Sequence, residues 1–404
     1  MYFVVMWAIV AQEHYIQQDA TESELSMFDI LNSEQTAFAE SIDAFCTREI
    51  GSFEKSRSLA DGGTHSQEIY SKMAELGWLG ITVPEEFGGA DAGATEMCIL
   101  LERSLYGLAP IGSIGPTLIA GAAYKRFGSP EQRERALRLL ADGGTLSISM
   151  SEPGAGSDVG ALRCKAERSG DDWVINGQKT WCSNAHFADR ILLVARTSSA
   201  GSKHEGITMF DVPADIEGLR ISGIDTMGGR EVNDLYFDDV RLPSDAVIGE
   251  VDGGWAQLMS GLNIERLILA AMQLGVAERA FDECLRFVSE REQFGRPVGK
   301  FQVLRHRIAD MATEIQATKL LVYAVAKKVD ADPDALFPRE ASMAKLKATE
   351  LSKWVTLECM QSMGGYGYAT EYGIERLLRQ AVVSSIYGGT NEIQRDIIGK
   401  TYGL

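Results

Sequence analysis

At 404 residues, with 45% hydrophobic and 24% charged side chains, the chain is globular and too long for a single compact core. Its 39 basic and 57 acidic residues give a net charge of −18. So acidic a surface repels phosphate backbones and excludes a polynucleotide partner, though it leaves room for a small anionic ligand held by a few arginines.

The first stretch, Met1 to Ala11, is apolar but lacks a basic flank and is too short to span a bilayer; the acidic run Asp19 to Glu24 follows. Residues 1–26 are expected to form a loose extension, with Met27 an alternative start and no targeting signal. From Asn32 the apolar residues recur at helical spacing (Phe38, Ile42, Phe45, Ile50), and further helices are expected over Ile69 to Leu76 and Thr95 to Tyr106. Ser129-Pro130-Glu131 combines an N-cap serine, proline at the first helical position and an acid in the first turn, and so predicts a helix through Leu140. Residues 27–145 therefore read as a helical domain.

The period then changes to two. Leu162–Glu167, Trp173–Ile175, Thr180–Cys182, Ile191–Ala195, Ile207–Val212, Leu219–Ile221 and Val232–Val240 predict short strands, with Asn176-Gly177 expected to form a hairpin turn. Strands with no helix between them make residues 146–250 a small antiparallel barrel or sandwich. Helical spacing returns over Ala256 to about Glu292, 300–330, 338–363, 372–384 and from Thr390, which makes 251–404 a four-helix bundle. The expected fold is α+β, with helical domains on either side of a β domain.

The six cysteines (Cys46, Cys98, Cys164, Cys182, Cys284, Cys359) lie far apart with no C-x-x-C, and the five histidines are scattered. No metal site is expected, and the cysteine pattern points to a reducing, cytoplasmic location.

Ile148 to Asp158 opens as a strand and breaks into Pro153-Gly154-Ala155-Gly156, displaying Ser149, Ser151 and Ser157 where the backbone is most exposed. Such a turn suits a flat, polar object. Gly154-x-Gly156-x-x-x-Gly160 lacks the following helix that a dinucleotide fingerprint needs, and no P-loop is present.

Taken in order, Ser-Glu-Pro-Gly-Ala-Gly-Ser-Asp at 151–158, Trp-Cys-Ser at 181–183, Arg-Glu-Gln-Phe-Gly at 291–295, Gln-Ser-Met-Gly-Gly at 361–365 and Ile-Tyr-Gly-Gly-Thr-Asn-Glu-Ile-Gln-Arg at 386–395 resemble the acyl-CoA dehydrogenase family. The resemblance runs from about residue 30 to the C-terminus. It implies an FAD enzyme that oxidises an acyl-CoA to the 2,3-enoyl-CoA, a step of the kind found in fatty-acid β-oxidation. It implies that Met150 and Ser151 contact the flavin ring, that Gly156 and Ser157 serve its phosphate and the CoA side, and that Trp181 and Ser183 lie against the ring. Arg291, Gln293, Phe294, Gln302, Gln361, Gly364 and Gly365 match positions that reach the adenine half of FAD in a neighbouring subunit, and Thr390 and Glu392 match further FAD contacts. The same resemblance implies a homotetramer that passes electrons to an electron-transfer flavoprotein.

One position departs from the familiar pattern. Many members carry the base as the Glu of a Tyr-Glu-Gly-Thr segment, and this chain has Tyr387-Gly388-Gly389-Thr390. In the isovaleryl-CoA and long-chain branches the base sits instead on the long bundle helix, directly before an Arg. Asn263-Ile264-Glu265-Arg266 matches that pattern, which implies Glu265 as base, Gly388 N–H as donor to the thioester oxygen, and Asn263, Arg266, Gly389 and Ser157 on the substrate side. A lone Glu-Arg pair on a helix is ordinarily solvated; the glycine at 388 makes Glu265 the expected base. Removing an α-proton requires a carboxylate and a polarised carbonyl together, and burial should raise the carboxylate toward working pH. The vacated side chain at 388 suits a branched or longer acyl group, with Ala270, Ala271 and Met272 following on the helix. Two alternatives share the motifs: a dehydrogenase of a carrier-protein-bound acyl or aminoacyl group, and a non-catalytic FAD-binding subunit.

Overall fold

The computed structural model describes residues 30–404, other than 62 and 200, and of residues 262 and 263 the backbone alone; the expected extension 1–26 lies outside the described residues. A short piece ends at Ala37, where the Oδ1 of Asn32 accepts from the Gln35 N–H at 2.9 Å, and one body runs from Phe38 to Leu404.

Helices come first in the chain: α1 (Ser33–Glu49), α2 (Phe53–Leu59), α3 (Gln67–Glu75), α4 (Ala94–Tyr106), α5 (Ile114–Phe127) and α6 (Pro130–Ala141). The cap read from Ser129 is present: its hydroxyl accepts from Gln132 N–H, and Gln132 Oε1 accepts from Ser129 N–H at 3.0 Å. Helices α2 and α5 give no clear helical signal in the sequence. Helix α5 is apolar nearly all round because it is wedged between α6 and the first strand.

The sheet contains β1 (Leu146–Ser149), β2 (Lys165–Ser169), β3 (Asp172–Ser183), β4 (Arg190–Arg196), β5 (Ile207–Pro213), β6 (Leu219–Thr226), β7 (Gly229–Leu242) and β8 (Val247–Ile248), ordered β6-β7-β3-β2-β4-β5-β8 with β1 beside β4. Most pairs are antiparallel. However, β1 runs parallel to β4, and β2 meets β4 in parallel at Lys165 and Arg196. The long excursion through β2 and β3 makes the parallel β1–β4 pairing possible.

The hairpin expected at Asn176-Gly177 is not there. Strand β3 runs unbroken through both residues, and the chain reverses at Gly170-Asp171, next to the Ser169–Asp172 pair. Asn176 bonds across to Asp239 in both directions, donating to Oδ1 at 2.8 Å and accepting from its N–H at 2.9 Å. Gly177 serves close approach: a Cβ there would fall 2.8 Å from Cys164 Cα.

The third region is α7 (Gly254–Glu290), a two-strand ribbon of β9 (Glu292–Gln293) and β10 (Arg296–Pro297), α8 (Gln302–Ala331), α9 (Pro338–Met363), α10 (Gly365–Tyr368), α11 (Ile374–Ser384) and α12 (Asn391–Lys400). Helix α9 packs on α7, α8, α11 and α12. Polar groups tie α4 to this bundle. Buried Glu102 of α4 accepts from Lys319 Nζ and Tyr323 Oη of α8, both at 2.7 Å, and Lys319 also reaches Glu278 of α7 at 2.9 Å. Asp330 of α8 accepts from the first N–H groups of α4, Ala94 at 2.5 Å and Thr95 at 3.1 Å. All six cysteines are buried and free. Among the described residues no helix is long and apolar enough to cross a membrane.

Candidate active site

Past β1 the chain turns tightly at Glu152-Pro153-Gly154-Ala155, closed by paired backbone hydrogen bonds between Glu152 and Ala155. Glu152 is a structural carboxylate: it accepts from the N–H groups of Arg163 (2.7 Å) and Cys164 (2.8 Å) and from Lys179 Nζ (2.8 Å). Lys179, with no exposed surface, also donates to the Met150 carbonyl at 2.8 Å. The Ser151 carbonyl accepts from Thr180 N–H at 2.9 Å. The backbone of Met150 and Ser151 is thus held from β3. Gly156 and Ser157 are exposed, and nothing lies within 4 Å of a Cβ added at Gly156.

The pairing of β3 with β7 shifts register between Lys179 and Cys182, a bulge. The bulge contains Trp181 in the left-handed region (φ +60°), with 59% of its surface exposed. A bulky residue held there with its ring in the open is a strained arrangement of the kind that collects at functional sites.

Next to it, Ser183 and Asn184 line a cavity of about 440 Å³. Its walls include Ile148 from beside the turn, Leu105 to Ile119 from α4, α5 and their connection, Glu265, Leu269, Met272, Gln273 and Val276 from α7, and Tyr387 and Gly388 from the loop before α12. The α7 residues form one face of the helix, spanning from Glu265 to Val276 about 16 Å at 1.5 Å per residue. Met272 of the three residues after Arg266 lines the wall; Ala270 and Ala271 are buried elsewhere.

Glu265 and Gly388 meet on this wall. A Cβ built on Gly388 would sit 3.5 Å from Glu265 Oε1 and would collide with Leu269 Cδ1. Burial raises the Glu265 carboxyl above its ordinary value, against the opposing pull of the positive charges on Arg266 and Lys345. Arg266 itself is buried. The side chain of Asn263 lies outside the described residues.

Gly388 and Gly389 both adopt left-handed φ (+62° and +75°). Their carbonyls are tied down: Gln394 Nε2 donates to both at 3.0 Å, and Lys345 Nζ donates to that of Gly389 at 3.0 Å. The Gly388 N–H makes no hydrogen bond among the described residues, which leaves a donor beside Glu265. Thr390 caps α12, its hydroxyl accepting from Ile393 N–H at 3.3 Å. In the first turn Glu392 is held below its ordinary value by its own N–H and the Thr390 hydroxyl.

A second group of expected site residues lies away from these walls. Arg291 closes α7, with its guanidinium 4.9 Å from the Tyr366 ring centre, beside Gly364 and Gly365. Gln293, Gln302 and Gln361 are exposed. Phe294 stands at the tip of the β9–β10 ribbon in left-handed conformation (φ +53°) and is 93% exposed.

Sequence reasoning missed Asn184, Gln273, Lys345 and Gln394. Lys345 did leave a signal: it falls on the buried stripe of α9 between Ala341 and Ala348, where a charge is out of place. Asn184 left none, since its place depends on the β3 bulge.

Family models for the acyl-CoA dehydrogenase N-terminal, middle and C-terminal domains match residues 32–144, 147–240 and 252–403. The chain is 35% identical to a mitochondrial isovaleryl-CoA dehydrogenase of Solanum tuberosum, over 96% of this chain and 94% of the relative. It is 36% identical to a caffeyl-CoA reductase–Etf complex subunit of Acetobacterium woodii, over 84% of this chain and 90% of the relative. The crystal structure of an acyl-CoA dehydrogenase from Geobacillus kaustophilus superposes with a TM-score of 0.87 at 31% identity, covering 93% of this chain and 99% of that one.

Proposed function

The chain belongs to the acyl-CoA dehydrogenase family, FAD-dependent oxidoreductases acting on CH–CH groups, and from that premise we propose that it forms a trans-2-enoyl-CoA from an acyl-CoA, with Glu265 as base. The observation that carries this is the meeting of Glu265 with the open N–H of Gly388 on one cavity wall. A carboxylate and a carbonyl-oxygen donor in that relation can take the α-proton while the thioester oxygen gains charge.

The residues present fit FAD. Asn184 Oδ1 is buried on the cavity wall with no partner among the described residues, an acceptor suited to the ring N–H of a flavin. Ser183 offers a hydroxyl beside it, and Met150, Ser151, Gly156, Ser157 and Trp181 would complete the near half, with Thr390 and Glu392. Arg291, Gln293, Phe294, Gln302, Gln361, Gly364 and Gly365 would serve the FAD of a neighbouring copy in a homotetramer; the exposed, left-handed Phe294 supports a surface covered on assembly. The chemistry supplied by bound FAD is acceptance of the β-hydrogen as hydride.

On the substrate side, Arg266, Asn263, Gly389 and Ser157 would hold the thioester and CoA. The α7 face down to Val276 gives the acyl chain length, while Leu269 fills the space that a side chain at 388 would take, so the expected extra width at that point is not free. An electron-transfer flavoprotein is the proposed acceptor, supported by the relative described as part of an Etf complex. The test is anaerobic: purified protein should be yellow and bleach on adding a panel of acyl-CoAs, and Glu265→Gln should stay yellow without bleaching. Bleaching by Glu265→Gln at the wild-type rate would remove Glu265 from the role, and bleaching only by a carrier-protein thioester would change the substrate class.

A further inference from the structure

We propose that Lys345 is the positioning residue for the thioester-oxygen donor, aiming the Gly388 N–H by holding the Gly389 carbonyl and the Asn391 side chain. The inference rests on the assignment of Glu265 and Gly388 made above.

Two consecutive left-handed glycines, outside any helix or strand, leave the 387–390 loop with little to define its path. On one side, Tyr387 N–H is tied to the Val383 carbonyl at the end of α11 (3.3 Å). On the other, the carbonyls of Gly388 and Gly389 are held by Gln394 and Lys345. With both following peptide planes fixed, the Gly388 N–H can be redirected only through ψ and φ of Gly388, and the tie at Tyr387 N–H restrains both. Gln394 belongs to the helix that the loop itself begins, so it moves with the loop. Lys345 does not: it reaches in from α9 and references the loop to the bundle that also packs on α7 and therefore on Glu265.

The lysine is built in. It has no exposed surface, and its Nζ donates to Asn391 Oδ1 at 3.0 Å as well as to Gly389; Thr349 Oγ1 donates to the same Oδ1 at 3.0 Å. Burying an ammonium group is costly, and fixing one helix end could be done by neutral groups. A lysine here adds a positive charge close enough to act on Glu265, so that the base and the donor are referred to one side chain.

The test uses the full-length, FAD-loaded enzyme with trans-2-octenoyl-CoA labelled with ¹³C at the thioester carbonyl, read by isotope-edited infrared spectroscopy. In the wild type the bound carbonyl should absorb at lower frequency than free ligand, because Gly388 N–H bonds to it. In Lys345→Met most of that shift should vanish, with kcat down about 10²-fold and KM changed less than about threefold, as for loss of an oxyanion donor. Because Lys345→Met leaves Asn391 short of a donor, the pair K345M/N391L is measured too; it should fold and show the same spectral loss. A folded, flavin-loaded K345M/N391L with the full carbonyl shift and wild-type kcat would overturn the proposal and leave Lys345 a structural tie. Absence of the shift in the wild type would overturn the Gly388 assignment itself. Retention of bleaching by Glu265→Gln with the carbonyl shift intact would overturn the base alone and leave the role of Lys345 standing.

Discussion

A side chain placed on Gly388 would begin 3.5 Å from Glu265 Oε1, so the loop and the helix reach the same point in the cavity from opposite sides. The relationship fits the proposal that a carboxylate at either position would serve one reaction, and a Cβ at 388 would need the Leu269 side chain to shift.

Gly388→Ala should therefore be far more damaging than its size suggests. The left-handed φ costs a residue with a Cβ about 1–2 kcal/mol, and the collision with Leu269 Cδ1 requires that side chain or the loop to shift. With the donor displaced, kcat should fall about 10²–10³-fold. Steady-state kinetics on folded, flavin-loaded enzyme checks this.

With Glu265 as the proposed base, its titration should set the pH profile. Only the carboxylate can take a proton, and burial raises its pKa, so activity should fall with decreasing pH at a midpoint above the ordinary glutamate value of about 4.3. Arg266 opposes the rise. Arg266→Gln should move the acid limb of kcat to higher pH, and an unmoved limb would assign it to another group.

Stability should respond to Lys345 in the opposite sense to an ordinary lysine. Burial lowers its pKa to about 8 in the folded chain, against about 10.4 when unfolded. Between these values the unfolded chain binds the extra proton, so stability rises with pH across that window. Below about pH 8 the full cost of the buried charge is present. Urea midpoints at pH 7.5 and 10 should differ more for wild type than for Lys345→Met.

Lys319 bridges two carboxylates, Glu102 and Glu278; burial, and after it repulsion from Glu102, raise Glu278 to about 7. Lys319→Met should cost about 3–5 kcal/mol near pH 8.5, where Glu278 loses its closest cation and keeps only Arg103 at 3.4 Å. The loss should shrink near pH 5.5, since protonation of Glu278 relieves the repulsion. Equal losses at both pH values would exclude that carboxylate.

Periodicity carried much of the fold. The Ser129 cap, the change of period and the long helices needed only local information, and Glu265 stood out once Gly388 was seen where a Glu is common. What stayed hidden depends on distant partners. Helix α5 lacks an amphipathic stripe because it is covered on several sides, and Asn184 reaches the cavity through a bulge that its own neighbours do not announce. The Asn176-Gly177 hairpin failed because local turn preference lost to the cross-strand partner Asp239.

That last pair has a consequence for how the protein ages. An Asn-Gly bond is the dipeptide most prone to deamidation, because the glycine nitrogen can fold back onto the asparagine amide carbon and expel ammonia. In β3 the backbone is extended, and the Asn176 side chain is held at both its oxygen and its nitrogen by Asp239. Cyclisation there would require opening the β3–β7 seam, so intact sheet structure is also chemical protection for its weakest covalent link.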